Sequence, residues 1–194
     1  MNLTPELLLS GYMQGVFPMA QPDGRIYWYS PDPRAILPLD GLHVSQSLRR
    51  AIRRGRFEIR FNSAFAQVVE ACAAPAPDRL STWISDELTA AYIHLHELGF
   101  AHSVEAWIDG KLSGGLYGVT LRGLFAGESM FSRERDASKV ALYYLVLRLR
   151  ERGYHLLDVQ FQTPHLERLG AVEVSRLTYL LLLRRALAVG ARFD

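Results

Sequence analysis

Between residues 102 and 131 three strand-like segments follow one another almost without a gap, and no other feature constrains the fold as much. They lie near His102–Ile108, Lys111–Leu121 and Gly123–Phe131. Asp109-Gly110 and Arg122-Gly123 stand where tight hairpin turns would, since glycine beside Asp or Arg supplies the positive φ of a two-residue connection. An antiparallel meander in mid-chain must be covered by the rest of the sequence. The flanking segments read as its cover. Asn62 or Ser63 starts a helix through Cys72, with Phe65, Val68, Val69 and Cys72 on one face. A second helix runs from Asp86 to Leu98 and stops at Gly99. A long helix spans Ala137 to Arg152, with Val140, Ala141, Tyr144, Leu145, Leu147 and Leu149 forming a broad apolar face. Tyr154–Gln160 reads as a strand, Pro164–Leu169 as a short helix, Ala171–Val174 as a strand and Leu177–Ala188 as a final helix. After residue 62 the order α–α–β–β–β–α–β–α–β–α predicts an α+β fold, a mixed sheet with flanking helices.

The first sixty residues differ in texture. Pro18, Pro22, Pro31, Pro33 and Pro38 punctuate them, and Asp23-Gly24 suggests a hairpin between short aromatic segments. We expect a small N-terminal α/β domain over 1–60 and a larger domain over 61–194. A helix from Ser45 to Arg54 closes the smaller one, with Leu48 and Ile52 as its apolar stripe. The formal charge of the chain is +2, yet residues 45–60 alone carry +5, with six arginines against Glu58. So one-sided a segment points to a phosphate backbone rather than an ordinary solvated face, where signs mix. Trp28, Tyr29 and Trp83 are candidate stacking platforms for bases, with core packing as the alternative for each.

Composition excludes several classes. At 49% hydrophobic and 22% charged residues the chain is a folded globular protein. Its single cysteine, Cys72, rules out a disulfide framework and a Cys-rich zinc site. His94 and His96, two apart on a helix, point to different sides and cannot share a metal, so no metal is expected. Apolar runs such as Tyr179 to Leu183 are far short of a membrane span, and the opening residues are too polar for a signal peptide. A cytoplasmic protein with no membrane partner is the expectation.

Three places carry candidate chemistry. Gly114, Gly115 and Gly118 lie inside one strand segment and mark either a bulge that opens a ligand slot or a close backbone approach. In Gly127–Ser132 (GESMFS) strict alternation puts Glu128 and Met130 on one face and Ser129 and Phe131 on the other. An inward Glu128 is costly unless paired or used, whereas an edge-facing one needs only a neighbouring arginine. Asp158 and Gln160 share a face at a strand end, a carboxylate beside an amide; a turn cap is the alternative for the aspartate.

These motifs stand in a series: YMQGVFP (12–18), WYSPDPR (28–34), TWI (82–84), AYIHLHELGFAHSVE (91–105), GGLYGV (114–119), GESMFS (127–132), ASKVAL (137–142), DVQ (158–160) and HLERLGA (165–171). The chain resembles the leucyl/phenylalanyl-tRNA–protein transferases along nearly its whole length. The resemblance implies a GNAT-type acyltransferase fold for the larger domain. It implies transfer of Leu, Phe or sometimes Met from aminoacyl-tRNA to proteins beginning with Arg or Lys, marking them for N-end rule degradation, by a monomer that needs no cofactor. By the same resemblance Asp158 and Gln160 are the catalytic pair, with Glu128 in support. Asp158 is expected to attract the amine and to accept or relay its proton, with relay through the ribose hydroxyl as the alternative. Leu116, Phe125, Met130, Leu142 and Leu145 are implied as walls of the aminoacyl pocket, and Trp83 as the contact for the terminal adenosine. Arg53 and Arg54, extended by Arg49 and Arg50, are implied as the tRNA-binding face. Two positions depart from the family pattern: Met19 replaces a common tryptophan, and Leu116 a common methionine. A non-catalytic RNA-binding module is the rival reading, and it leaves Glu128, Asp158 and Gln160 without a purpose. An acyl-CoA enzyme is a second rival; Arg133–Ser138 lacks the glycines of a pyrophosphate-binding turn.

Overall fold

The computed structural model describes residues 3–75 and 82–194. Seven helices, α1 (Pro5–Met13), α2 (Gln46–Arg53), α3 (Phe65–Ala73), α4 (Asp86–Glu97), α5 (Ala137–Glu151), α6 (Pro164–Arg168) and α7 (Arg176–Leu187), surround nine strands among the described residues. These are β1 (Phe17–Ala20), β2 (Ile26–Tyr29), β3 (Arg34–Ile36), β4 (Glu58–Phe61), β5 (Ala101–Ile108), β6 (Lys111–Leu121), β7 (Leu124–Ser132), β8 (Leu156–Gln160) and β9 (Val172–Val174). The hairpin β1–β2 stands apart. The others form one sheet in the order β4-β5-β6-β7-β8-β3-β9, antiparallel except for the β7–β8 pair. The expected meander is its centre, and the fold is the expected α+β mixed sheet with flanking helices.

Local signals start most helices. Hydroxyls of Thr4, Ser45, Ser85, Thr163 and Ser175 accept backbone N–H bonds of the first turns of α1, α2, α4, α6 and α7, the N-cap bond that satisfies an otherwise orphan donor. Helices α1, α3, α4 and α7 cover one face of the sheet with Leu8, Val68, Tyr92 and Leu183 in the core. Helix α5 covers the other through Ala141, Leu142 and Leu145.

Two elements of the first sixty residues differ from expectation. Helix α1 occupies a stretch read only as turn-rich. Strand β3 pairs with both β8 and β9, so the larger sheet takes a strand from each side of the division at residue 60.

Candidate active site

The parallel pair β7–β8 is short: Leu124, Phe125 and Ala126 face Leu156, Leu157 and Asp158, and pairing ends there. Beyond it the two strands part. Two residues further along each lie Glu128 and Gln160, which meet across the gap where Gln160 Nε2 donates to Glu128 Oε1 at 2.9 Å. Carboxyl ends of parallel strands that diverge make a crevice lined by side chains from both.

Glu128 reaches this gap through a bulge. Tyr117 pairs with Ser129 and Gly118 with Gly127, which leaves Glu128 as the extra residue of β7. The insertion breaks alternation. Met130 packs with the α5 side of the sheet, whereas Glu128 meets tyrosines from helices on the opposite side. The expectation that these two share a face is therefore corrected. Gly118 is required opposite the bulge, because a Cβ there would overlap the Phe125 ring edge and the Ala126 carbonyl oxygen.

Two phenol hydroxyls close a ring with the Glu128 carboxyl. Tyr12 of α1 donates to Oε1 at 2.8 Å, Tyr92 of α4 donates to Oε2 at 2.8 Å, and the two hydroxyls lie 3.0 Å apart. The two phenol protons serve two of these three contacts. A proton on the carboxyl would serve the third. Burial pushes the Glu128 carboxyl up to about 7, against the lowering effect of the Tyr92 and Tyr12 hydroxyls. This carboxyl is poised to hold or release a proton at neutral pH.

Asp158 is different. Its Oδ1 accepts from Arg34 Nε at 2.9 Å and from the Gln160 backbone N–H at 2.9 Å. Its Oδ2 accepts from Arg34 Nη2 at 2.6 Å and Tyr179 at 2.8 Å. Arg34 and Asp158 are each 1% exposed. The guanidinium is stacked between Phe17 and Tyr179, at 4.6 and 4.4 Å from the ring centroids, and its Nη1 donates to the carbonyl of Gly15, whose φ of 78° suits glycine. With four donors around a paired charge, Asp158 has no vacant acceptor direction for a substrate proton. Gln160, whose N–H donates to it, is itself held at φ 68°, a left-handed conformation that non-glycine residues adopt only when their surroundings hold it. Asp158 thus holds the Gln160 backbone N–H. Arg34 lies within the WYSPDPR motif but has no local signature of its role, since its partner is 124 residues away.

Beside this group an apolar cavity of about 220 Å³ opens, lined by Leu116, Met130, Leu142 and Leu145 as expected. Leu157, Val159, His165 and Leu166 also line it; the sequence does not show them, because nothing local places β8 and α6 against α5. Burial, with Lys139 and Arg168 nearby, lowers the His165 pKa. Phe125, implied as a further wall, is fully buried in the same core cluster as Leu116, Leu142 and Leu145. Trp83 is half-buried against the core of the α1 side and its carbonyl accepts from Ala20 N–H; it does not line the cavity. Trp28 packs over Gly11, where a Cβ would overlap its ring, and Tyr29 stacks on Phe17. Met19 packs against the same core.

Arg49, Arg50, Arg53 and Arg54 are all exposed on α2, with Leu48 buried beneath. The six-arginine segment is not one surface, however. Arg60 pairs with Glu58 at 2.7 Å and covers Trp107. His96 stacks on Phe65 while His94 is exposed. No cluster of three or more His, Cys, Asp or Glu suited to a metal occurs among the described residues. None of the described helices is long and apolar enough to cross a membrane.

The site is an apolar cavity beside a buried carboxylate–amide pair, where two parallel strands of a mixed α+β sheet part. Comparison with known proteins gives the family. A model described as leucyl/phenylalanyl-tRNA protein transferase matches residues 36–184, and one for the N-terminal domain of that transferase matches residues 1–32. The chain belongs to the leucyl/phenylalanyl-tRNA–protein transferase family. It is 59% identical to the transferase of that name from Herpetosiphon aurantiacus, over 99% of this chain and 98% of that one. It is 56% identical to the one from Rubrobacter xylanophilus over the full length of both. Among solved structures, a ribosomal-protein-alanine N-acetyltransferase from Brucella melitensis matches at a TM-score of 0.36 and 18% identity, over 50% of this chain and 74% of that one.

Proposed function

We propose that this protein moves Leu, Phe or Met from aminoacyl-tRNA to the α-amino group of proteins beginning with Arg or Lys, marking them in the cytoplasm for N-end rule degradation. The observation that carries this reading is the cavity of about 220 Å³ beside Glu128 and Gln160. It is smaller than a pocket for a drug-sized ligand, which runs to roughly 300–1,000 Å³, and it suits one apolar side chain. Burying Leu or Phe there is worth roughly 1.5–3 kcal/mol, enough to disfavour Gly and Ala.

In this mechanism the neutral amine attacks the ester carbonyl carbon. The C–N bond forms, the C–O bond to the terminal ribose breaks, and the ribose oxygen takes one proton as the amine nitrogen gives one up. An amine that arrives as ammonium must first lose a further proton, and Glu128 takes it. Gln160 donates its Nε2 hydrogen to Glu128, which turns its Oε1 toward the opening, where it accepts from the amine. Asp158, neutralised by Arg34, acts as a positioning residue that holds the Gln160 backbone. Arg49, Arg50, Arg53 and Arg54 hold phosphates of the tRNA acceptor stem, contacts that ignore sequence and weaken with salt. Trp83 receives the terminal adenosine. The test is transfer of labelled Leu, Phe and Met from their tRNAs to peptides with different first residues. Product with N-terminal Arg and Lys and none with N-terminal Ala or Asp is expected; tRNA binding without product would favour the RNA-binding module.

A further inference from the structure

The basic face of α2 continues into a cleft at the turn from β7 to α5. A cleft of about 290 Å³ is lined by Arg50 and Arg54 of α2, Arg56 and Phe57 beyond it, and Arg135 and Asp136 of the turn. The turn is rigid. Arg133 and Glu134 N–H groups both donate to the Ser113 carbonyl, at 2.8 and 3.1 Å, and the Ser132 hydroxyl donates to the Glu134 carbonyl at 2.8 Å. Arg56 bridges the two walls through Glu134 at 2.9 Å. Asp136 is held by Lys139 at 2.9 Å and lies 3.8 Å from Arg135, whose side chain is 88% exposed. Four arginines and Lys139 against Glu134 and Asp136 leave the cleft strongly cationic.

Its place along β7 says what that charge is for. Met130, a wall of the aminoacyl cavity, lies two residues before β7 ends at Ser132, and Arg135 follows three residues later. A polynucleotide whose helical part rests on α2 and whose terminal residue enters the cavity has to pass this turn. We infer that the cleft seats an internucleotide phosphate of the single-stranded stretch between the acceptor helix and the aminoacylated end, with Arg135 and Arg56 as its ligands. The inference rests on the reading of the donor as aminoacyl-tRNA. It places part of the RNA site on the sheet-bearing part of the chain, where residues 45–60 alone would not have put it.

The experiment is a salt titration of leucyl-tRNA binding for the wild type, Arg135→Ala, Arg135→Lys and Glu134→Gln. Each phosphate contact steepens log Kd against log salt by roughly 0.7–0.9. Between about 50 and 200 mM salt, Arg135→Ala should therefore weaken about threefold less than the wild type does. Arg135→Lys should keep the wild-type slope, and Glu134→Gln, which frees Arg56, should bind more tightly at low salt. With an aminoacyl-adenosine donor, which has no phosphate, the salt dependence of KM should be the same in all four proteins. A wild-type slope in Arg135→Ala would overturn the inference, as would an altered salt dependence with the adenosine donor. Neither outcome touches the wider reading, which falls instead if the wild type transfers leucine from neither donor.

Discussion

Glu128 and Asp158 are both buried carboxylates, and the groups around them divide their work. Four hydrogen-bond donors, two of them from a stacked guanidinium, fill the acceptor directions of Asp158. Glu128 meets two phenols and an amide but no direct cation, and burial raises it to about 7. Transfer should therefore fall as pH drops below about 7, and Glu128→Gln should lower the rate by about 100-fold or more, the usual reach of a general base. Titration of the substrate amine is common to both proteins and cancels in the ratio of their rates. That ratio should lose its dependence on pH above about 7, and a ratio constant across pH 5.5–8.5 would remove Glu128 from the proton transfer. The same shift acts on stability with a defined sign. Between pH 4.5 and 7 the folded state binds more protons than the unfolded one, so this group's contribution falls as pH rises through that window. Unfolding titrations should show that fall in the wild type and not in Glu128→Gln. The Arg34–Asp158 pair offers a second residue-scale test. Arg34→Ala leaves a buried charge unpaired and should cost about 3–5 kcal/mol in chemical denaturation. Arg34→Met with Asp158→Leu should restore much of that stability without restoring transfer. Recovery of both would contradict the positioning role of Asp158.

At the scale of elements, the site exists because β7 bulges at Glu128 and parts from β8 after Ala126. Gly118→Ala should drive Phe125 and the Ala126 carbonyl out of place, costing about 1–3 kcal/mol as overpacking does. Thermal unfolding measures it, and an unchanged melting temperature would mean that the bulge tolerates a side chain. The elements themselves were largely legible. Observed bounds of α3, α4, α5, β5, β6 and β7 follow the apolar periodicity and the Asp-Gly and Arg-Gly turns. What was not legible has physical reasons. Strand β3 is three residues between prolines, too short to show alternation, and its pairing with β8 is a long-range event. A one-residue bulge leaves no mark except the glycines opposite it, so strict alternation put Glu128 beside Met130. Helix α1 had local signals, a Thr4 cap and Pro5 in the first turn, but its fit to the core depends on Tyr12 finding Tyr92 and Glu128.

At the scale of the whole molecule, the N-terminal residues help to build the candidate site. Tyr12 donates to Glu128, the Gly15 carbonyl and Phe17 hold Arg34, and Arg34 fixes Asp158 on β8. The candidate residues Glu128, Asp158 and Gln160 were recognisable from their motifs, yet the groups that set their different roles come from α1, β3, α4 and α7. No local pattern connects those segments. The central claim is that this assembled group performs the transfer while the arginine face and the cavity hold the donor. The most direct measurement is single-turnover transfer of labelled leucine from leucyl-tRNA to an Arg-initiated peptide, with leucyl-tRNA affinity measured on the same protein, for the wild type and Gln160→Ala. The account predicts that Gln160→Ala keeps its affinity for leucyl-tRNA and loses most of the transfer. Transfer at the wild-type rate, or affinity lost in step with transfer, would contradict it.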